Sequence, residues 1–154
     1  MPVRRHLAAL LRDTRGALLI ETAIVAPVLV LMSLGAFQVS SMVARQSELQ
    51  SAVAEASAIA LAVAPDTSAK RATVKSVIMA SSGLASGHVT VSNTYRCGTT
   101  ATYQNGQSCS GSSKLSEYVK IELTDTYTPI WTEFGVGGPM NYNVTRYVMI
   151  AQDD

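Results

Sequence analysis

The sequence predicts an α+β protein: a long N-terminal helix, a short second helix and a small antiparallel three-stranded sheet. Three observations lead there. No residue from Thr22 to Ala44 carries a charge, and most are Ala, Val, Leu, Ile or Met. Apolar and small residues then recur at three- and four-residue spacing through Val39, Met42, Gln46, Leu49, Val53, Ala56, Ala60 and Val63. That is the stripe of an amphipathic helix. Beyond Gly87 the period shortens to two, as strands require.

The uncharged run suits the roughly 20 residues that a membrane-crossing helix needs. Four arginines precede it, Arg4, Arg5, Arg12 and Arg15, opposed only by Asp13. The whole chain carries a net charge of +1 from twelve basic and eleven acidic residues. Residues 1–16 hold four of those basic and one of those acidic groups, so the remainder has a net charge of −2. The positive-inside rule predicts a cytoplasmic N-terminus and an extracytoplasmic C-terminal portion. No basic face dominates, which argues against nucleic acid as the main partner. A cleaved secretory signal fits poorly, because its apolar core is normally 7–15 residues and carries no early carboxylate such as Glu21. An uncleaved anchor is the second plain reading.

Residues 17 to about 64 read as one helix, apolar first and amphipathic later, extending about 70 Å at 1.5 Å per residue. Pro27 removes one helical hydrogen bond; it is either a hinge or an ordinary membrane-helix proline. Pro65-Asp66 ends the helix. Asp66 or Ser68 is expected to cap a second helix with Val74, Val77 and Ile78 on its apolar face and Gly83 as its stop. His88–Ser92, Tyr118–Thr124 and Tyr142–Ala151 are the expected strands. In the middle one Val119, Ile121 and Leu123 share a face. The phase of the last is ambiguous, because Arg146 interrupts the Val144, Val148 and Ile150 side. Helices on one face of such a sheet make a small α+β head. The organisation predicted is thus a basic leader at 1–16, a long helix at 17–64 with a transmembrane first half, and a head domain at 65–154.

Cys97 and Cys109 are the only cysteines. In an exported domain a disulfide is the natural reading, stabilising by roughly 3 kcal/mol in the chain-entropy model. The alternative is two thiols that never approach each other. Neither His6 nor His88 has motif company, so no metal or cofactor is expected. Glu117, Glu122 and Asp125 read as solvated strand charges rather than an acid/base pair. No nucleophile or phosphate-binding motif occurs, so no enzymatic activity is expected. Ile130, Trp131 and Phe134 concentrate aromatic surface in one segment, which either caps the core or offers a partner surface. The Gly98–Ser113 segment is polar and mobile in composition and reads as a disulfide-stapled surface loop without a ligand, target adhesion being the alternative.

Arg12-Asp13-Thr14-Arg15-Gly16-Ala17, followed by Glu21 and by Ala26-Pro27-Val28-Leu29, resembles the TadE-like family of minor pilins (pseudopilins) of the Tad, or Flp, tight-adherence pilus system. Later segments, Val119–Leu123 with Tyr127–Ile130 and Tyr142–Ile150, resemble it more weakly. The resemblance implies a pilin-like architecture. It also implies cleavage by a prepilin peptidase between Gly16 and Ala17, with Glu21 then fifth after the cut. Thr22 departs from the Glu-Tyr pair of major Flp pilins, and the head is too large for one, so a minor component is implied. Ala17 departs from the Phe often first in type II secretion pseudopilins. The implied partners are other pilin-like subunits, the Tad inner-membrane assembly machinery, the prepilin peptidase and membrane lipid. The implied location is the bacterial inner membrane or the pilus. Cleavage would place a new ammonium at Ala17 near Glu21, and pairing of the two in an apolar interface would set packing register.

Overall fold

The computed structural model describes residues 14–111, 113–135 and 137–152. Most of the expected leader, residues 1–13, lies outside the described residues. Helix α1 spans Thr14–Val63 and contains Pro27. Helix α2 spans Ser68–Ser82. Strands β1 (Val89–Cys97), β2 (Leu115–Tyr127) and β3 (Met140–Gln152) follow, with short 3-10 turns at Ser86–His88 and Ile130–Phe134. The α+β prediction therefore holds. The chain divides into two compact units, residues 1–41 and 42–154.

In the first unit every residue from Leu19 to Leu34 is exposed, and these are almost all apolar. Length and composition qualify α1 to cross a membrane. Two serines of this unit bond locally: Ser33 Oγ donates to the Leu29 carbonyl at 2.8 Å and Ser41 Oγ to the Phe37 carbonyl at 3.0 Å. Each hydroxyl is thereby satisfied within its own helix, as an apolar surrounding demands.

In the second unit the stripe of α1 is buried at Met42, Leu49, Val53, Ala56 and Ala60, with Ala52 beside it. The expected ends of that stripe differ: Val39 and Val63 are exposed. The helix stops because Ala64 turns left-handed, φ 44°, while its N–H still reaches the Ala60 carbonyl at 2.9 Å. Pro65 is fully buried just after it. The cap of α2 is Thr67 rather than Asp66 or Ser68. Its hydroxyl accepts from the Lys70 N–H at 3.4 Å, while Asp66 accepts from the Thr67 N–H and pairs with Lys70 at 2.8 Å. Gly83 ends α2 as expected, at φ 67°, where a side chain would be strained.

The sheet order is β1-β2-β3, antiparallel throughout. Each strand runs longer than its alternating segment suggests, and His88 falls in the preceding 3-10 turn. Val119, Ile121 and Leu123 are completely buried and join Val74, Ile78, Leu84, Val89, Tyr142 and Val148 under the α1 stripe. In β3 the inward phase is Tyr142, Val144, Val148 and Ile150, with Arg146 exposed in its middle. The register Ile121↔Arg146, Val119↔Val148 and Leu123↔Val144 fixes that phase.

Candidate processing and assembly site

Gly16 and Ala17 lie in the first turn of α1, where backbone N–H groups have no intrahelical acceptor. Gly16 is exposed, and a Cβ added there meets nothing within 4 Å. The Ala17 side chain lies outside the described residues. Glu21 is exposed one turn further on. With Thr22, Val25, Ala26 and Leu29 it lines a shallow groove of about 320 Å³. The groove thus has one acid at its N-terminal end and an apolar floor. Residues 17 and 21 stand at i and i+4, the spacing at which helical neighbours meet.

The head holds two clusters that sequence reasoning missed. Arg45, the first charge after the apolar run, is half-buried. Its Nε donates to Asp125 at 2.6 Å, and one Nη donates to Glu48 at 2.8 Å and to the Ser82 carbonyl at 3.3 Å. One guanidinium therefore ties α1 to the end of α2 and to β2. Bonding to Glu48 first, and to Asp125 next, holds its pKa above the ordinary value. Nearby, the Tyr142 hydroxyl donates to the Met42 carbonyl at 3.1 Å, and burial raises its pKa above 10.0. The first charge after a long uncharged run was the available signal for Arg45; Asp125, eighty residues later, had none.

The second cluster lies on the outer sheet face. Tyr103, from the Cys97–Cys109 segment, stacks on Tyr147 of β3 at 3.9 Å and meets Tyr118 of β2 edge-on at 5.3 Å. Arg96 of β1 stands 5.5 Å from the Tyr103 ring. The neighbouring Gln104 forms a two-way backbone bridge with Tyr95, at 2.8 and 2.9 Å. Cys97 and Cys109 are joined as a disulfide, with Cα atoms 5.5 Å apart. The expected stapled loop is thus a flap whose tyrosine covers the sheet. Its polar composition hid Tyr103, whose ring packs the flap onto the sheet.

The remaining expected residues are placed without forming a site. Ile130 is 48% exposed and Trp131 half-buried, in the 3-10 turn; the Phe134 side chain lies outside the described residues. Glu117 accepts from Asn93 at 2.6 Å, and Glu122 pairs with Lys120 at 2.5 Å. Those carboxylates are occupied by neighbours on the sheet rather than facing each other across a cleft. Among the described residues no group of three His, Cys, Asp or Glu is placed to hold a metal ion.

No curated protein and no solved structure matches this sequence. A family model does: residues 16–58, from the expected cleavage position through most of α1, match the family described as TadE-like protein. The match starts at Gly16 and includes Glu21 and the groove it lines. With its apolar first half and stapled α+β head, the chain carries the segment of the TadE-like family and is consistent with a TadE-like protein of the Tad pilus system.

Proposed function

We propose that this chain is a structural minor pilin of a Tad pilus, cut by a prepilin peptidase after Gly16 and acting in pilus initiation or assembly without catalytic turnover. The observation that carries the reading is the first unit of α1. Its apolar side chains are exposed on all sides, and a single acid stands one turn from the expected cut. Such a surface needs an apolar partner, first lipid and then the helices of other subunits. The positive leader supports an N-terminus on the cytoplasmic side and a head on the other.

The chemistry of cleavage fits the position. A peptidase takes its substrate extended, so the helix must open around the scissile bond. At residues 16 and 17 few backbone bonds are lost on opening, and glycine is about 1 kcal/mol poorer than alanine as a helix former. After cleavage the ammonium of Ala17 sits at the positive end of the helix dipole, where it is unfavourable alone. Glu21, one turn away, offsets that charge from its own chain or from a neighbour's. Unpaired in the apolar layer, the same carboxylate would be unfavourable by up to ~3 kcal/mol.

Intact mass of the membrane-extracted protein, with and without active prepilin peptidase, tests this. The expected N-terminus is Ala17 with the enzyme and the uncut chain without it. An uncut chain in the presence of active enzyme overturns the processing and favours the second reading, an uncleaved single-pass anchor for an extracytoplasmic binding domain. Gly16→Ala is a clean probe, because the new methyl meets nothing within the chain. It is expected to slow cleavage without unfolding the head. Glu21→Ala is expected to leave membrane insertion intact and reduce pilus assembly.

A further inference from the structure

The two edges of the sheet are finished differently. The outer edge of β1 is met at Tyr95 by the backbone bridge to Gln104, in the segment that the Cys97–Cys109 staple closes. The outer edge of β3 has no such cover. Among the described residues, no backbone hydrogen bond outside the β2 ladder reaches Met140–Gln152. At thirteen residues β3 is long, since strands usually run five or six. Its one register irregularity faces Glu117/Tyr118, so Met140–Met149 remain in continuous pairing with β2. A long open edge is ordinarily guarded, because it templates pairing with any free strand.

Along the continuously paired stretch Met140–Met149, the one charged residue guarding that edge is Arg146. It occupies the inward phase between Val144 and Val148, opposite the fully buried Ile121, yet is itself exposed. Among the described residues it has neither a hydrogen bond nor an ion pair. Its position selects among occupants. Two copies of β3 pairing antiparallel about their midpoint would match Val144 with Val148 and Tyr142 with Ile150. They would also set Arg146 against Arg146, and like charges directly opposite are destabilising. A strand with a carboxylate at that place gains a charge-assisted, two-pronged contact in an otherwise apolar row.

We propose that the outer edge of β3 is a docking edge for a strand of a different pilus subunit, one carrying Asp or Glu opposite Arg146. This rests on the pilus reading. It goes beyond that reading by naming the edge, the mode of pairing by strand addition, and the charge of the partner. Arg146 turns an edge that would otherwise pair indiscriminately into one that rejects its own copy and accepts an acidic strand.

The test uses the full chain in cells assembling the pilus, with a photocrosslinking phenylalanine analogue at Thr145 on β3 or, separately, at Thr90 on β1. Both positions are exposed. Thr145 is expected to capture another pilus subunit, and mass spectrometry of the adduct is expected to locate an alternating segment containing Asp or Glu. Arg146→Glu should lower that yield about fivefold, the upper range for an opposed charge pair. Arg146→Lys should keep most of it, and reversing the partner's acid to Lys should restore the yield with Arg146→Glu. An unchanged melting temperature for Arg146→Glu assigns the loss to docking rather than folding. Capture of a second copy of this chain, equal yields at Thr145 and Thr90, no capture, or indifference to Arg146→Glu would each overturn the proposal. Pilus formation in a strain lacking the chain reports separately on the pilus reading. Pili that require the chain but ignore Arg146 reject only the docking edge.

Discussion

Residues 19–34 and residues 42–60 belong to one helix, yet they meet their surroundings in opposite ways. In the first segment Leu19, Ile24, Leu29 and Met32 are all exposed, and no side of the helix is reserved for polar groups. In the second, apolar residues collect on one stripe that is buried against α2 and the sheet, while Glu48, Glu55 and Ser51 stay outside. A helix apolar all round is made for an apolar medium; a striped one is made for a core. Helix propensity alone does not separate the two. The spacing of polar residues does.

That contrast is broken most directly by the same truncation in each region. Leu49→Ala opens a cavity in the head and is expected to lower its stability by about 2–5 kcal/mol, read by denaturation of the full chain in detergent. Leu29→Ala removes the same atoms from an exposed position and should leave that transition where it is. A comparable shift from both would mean that exposure does not separate the two segments.

The next effect concerns the flap. Replacing Cys97 and Cys109 with Ser should cost about 3 kcal/mol by releasing a loop of this size. It should also raise backbone amide exchange at Tyr95, whose bridge to Gln104 the staple maintains. Arg45→Ala should cost about 1–3 kcal/mol, because Asp125 loses a half-buried, charge-assisted bond. Leu29→Ala again supplies the silent reference. Ala64→Gly is expected to stabilise the head by up to about 1 kcal/mol, since glycine accepts the left-handed backbone at the end of α1 without strain.

The smallest effect is one of pH, and it also belongs to the head alone. Lys120, and less strongly Asn143, hold the Glu122 pKa below 4.5. A carboxyl with a lowered folded-state pKa contributes stability above its unfolded value, and that contribution is lost as pH falls through the folded one. Acid titration should show Glu122→Gln weakening the head near neutrality and narrowing its difference from the parent below about pH 4.5. Tyr142 has the opposite sign. Its raised pKa makes the head lose stability as pH rises past 10.0, and Tyr142→Phe should remove that contribution.

Elements set by local period were legible from the sequence: the two helices, the inward face of β2, and the Gly83 stop. Misplaced details fell where several residues share one chemistry. Asp66, Thr67 and Ser68 are all good caps, and only the fold selects Thr67. The ambiguous phase of β3 had a physical origin, because Arg146 lies on the inward phase of an edge strand that the core does not fully cover. Arg45–Asp125 and Tyr103–Tyr147 were not legible, since each joins residues far apart in sequence and carries no local pattern. For the segment from Gly16 to Leu29 the local pattern carried the family resemblance, and residues 16–58 are where the family match falls.

The Cys97–Cys109 bond also determines how the head would respond to proteases. The segment it closes is mostly exposed, and it is the natural place for a first nick. Any single cut between Gly98 and Ser108 leaves both fragments tied through sulfur, with Tyr103 or Gln104 still close to its contact. A nicked molecule would run as one piece on a gel until thiol is added. The flap is therefore a place where the head can be damaged and still hold its sheet.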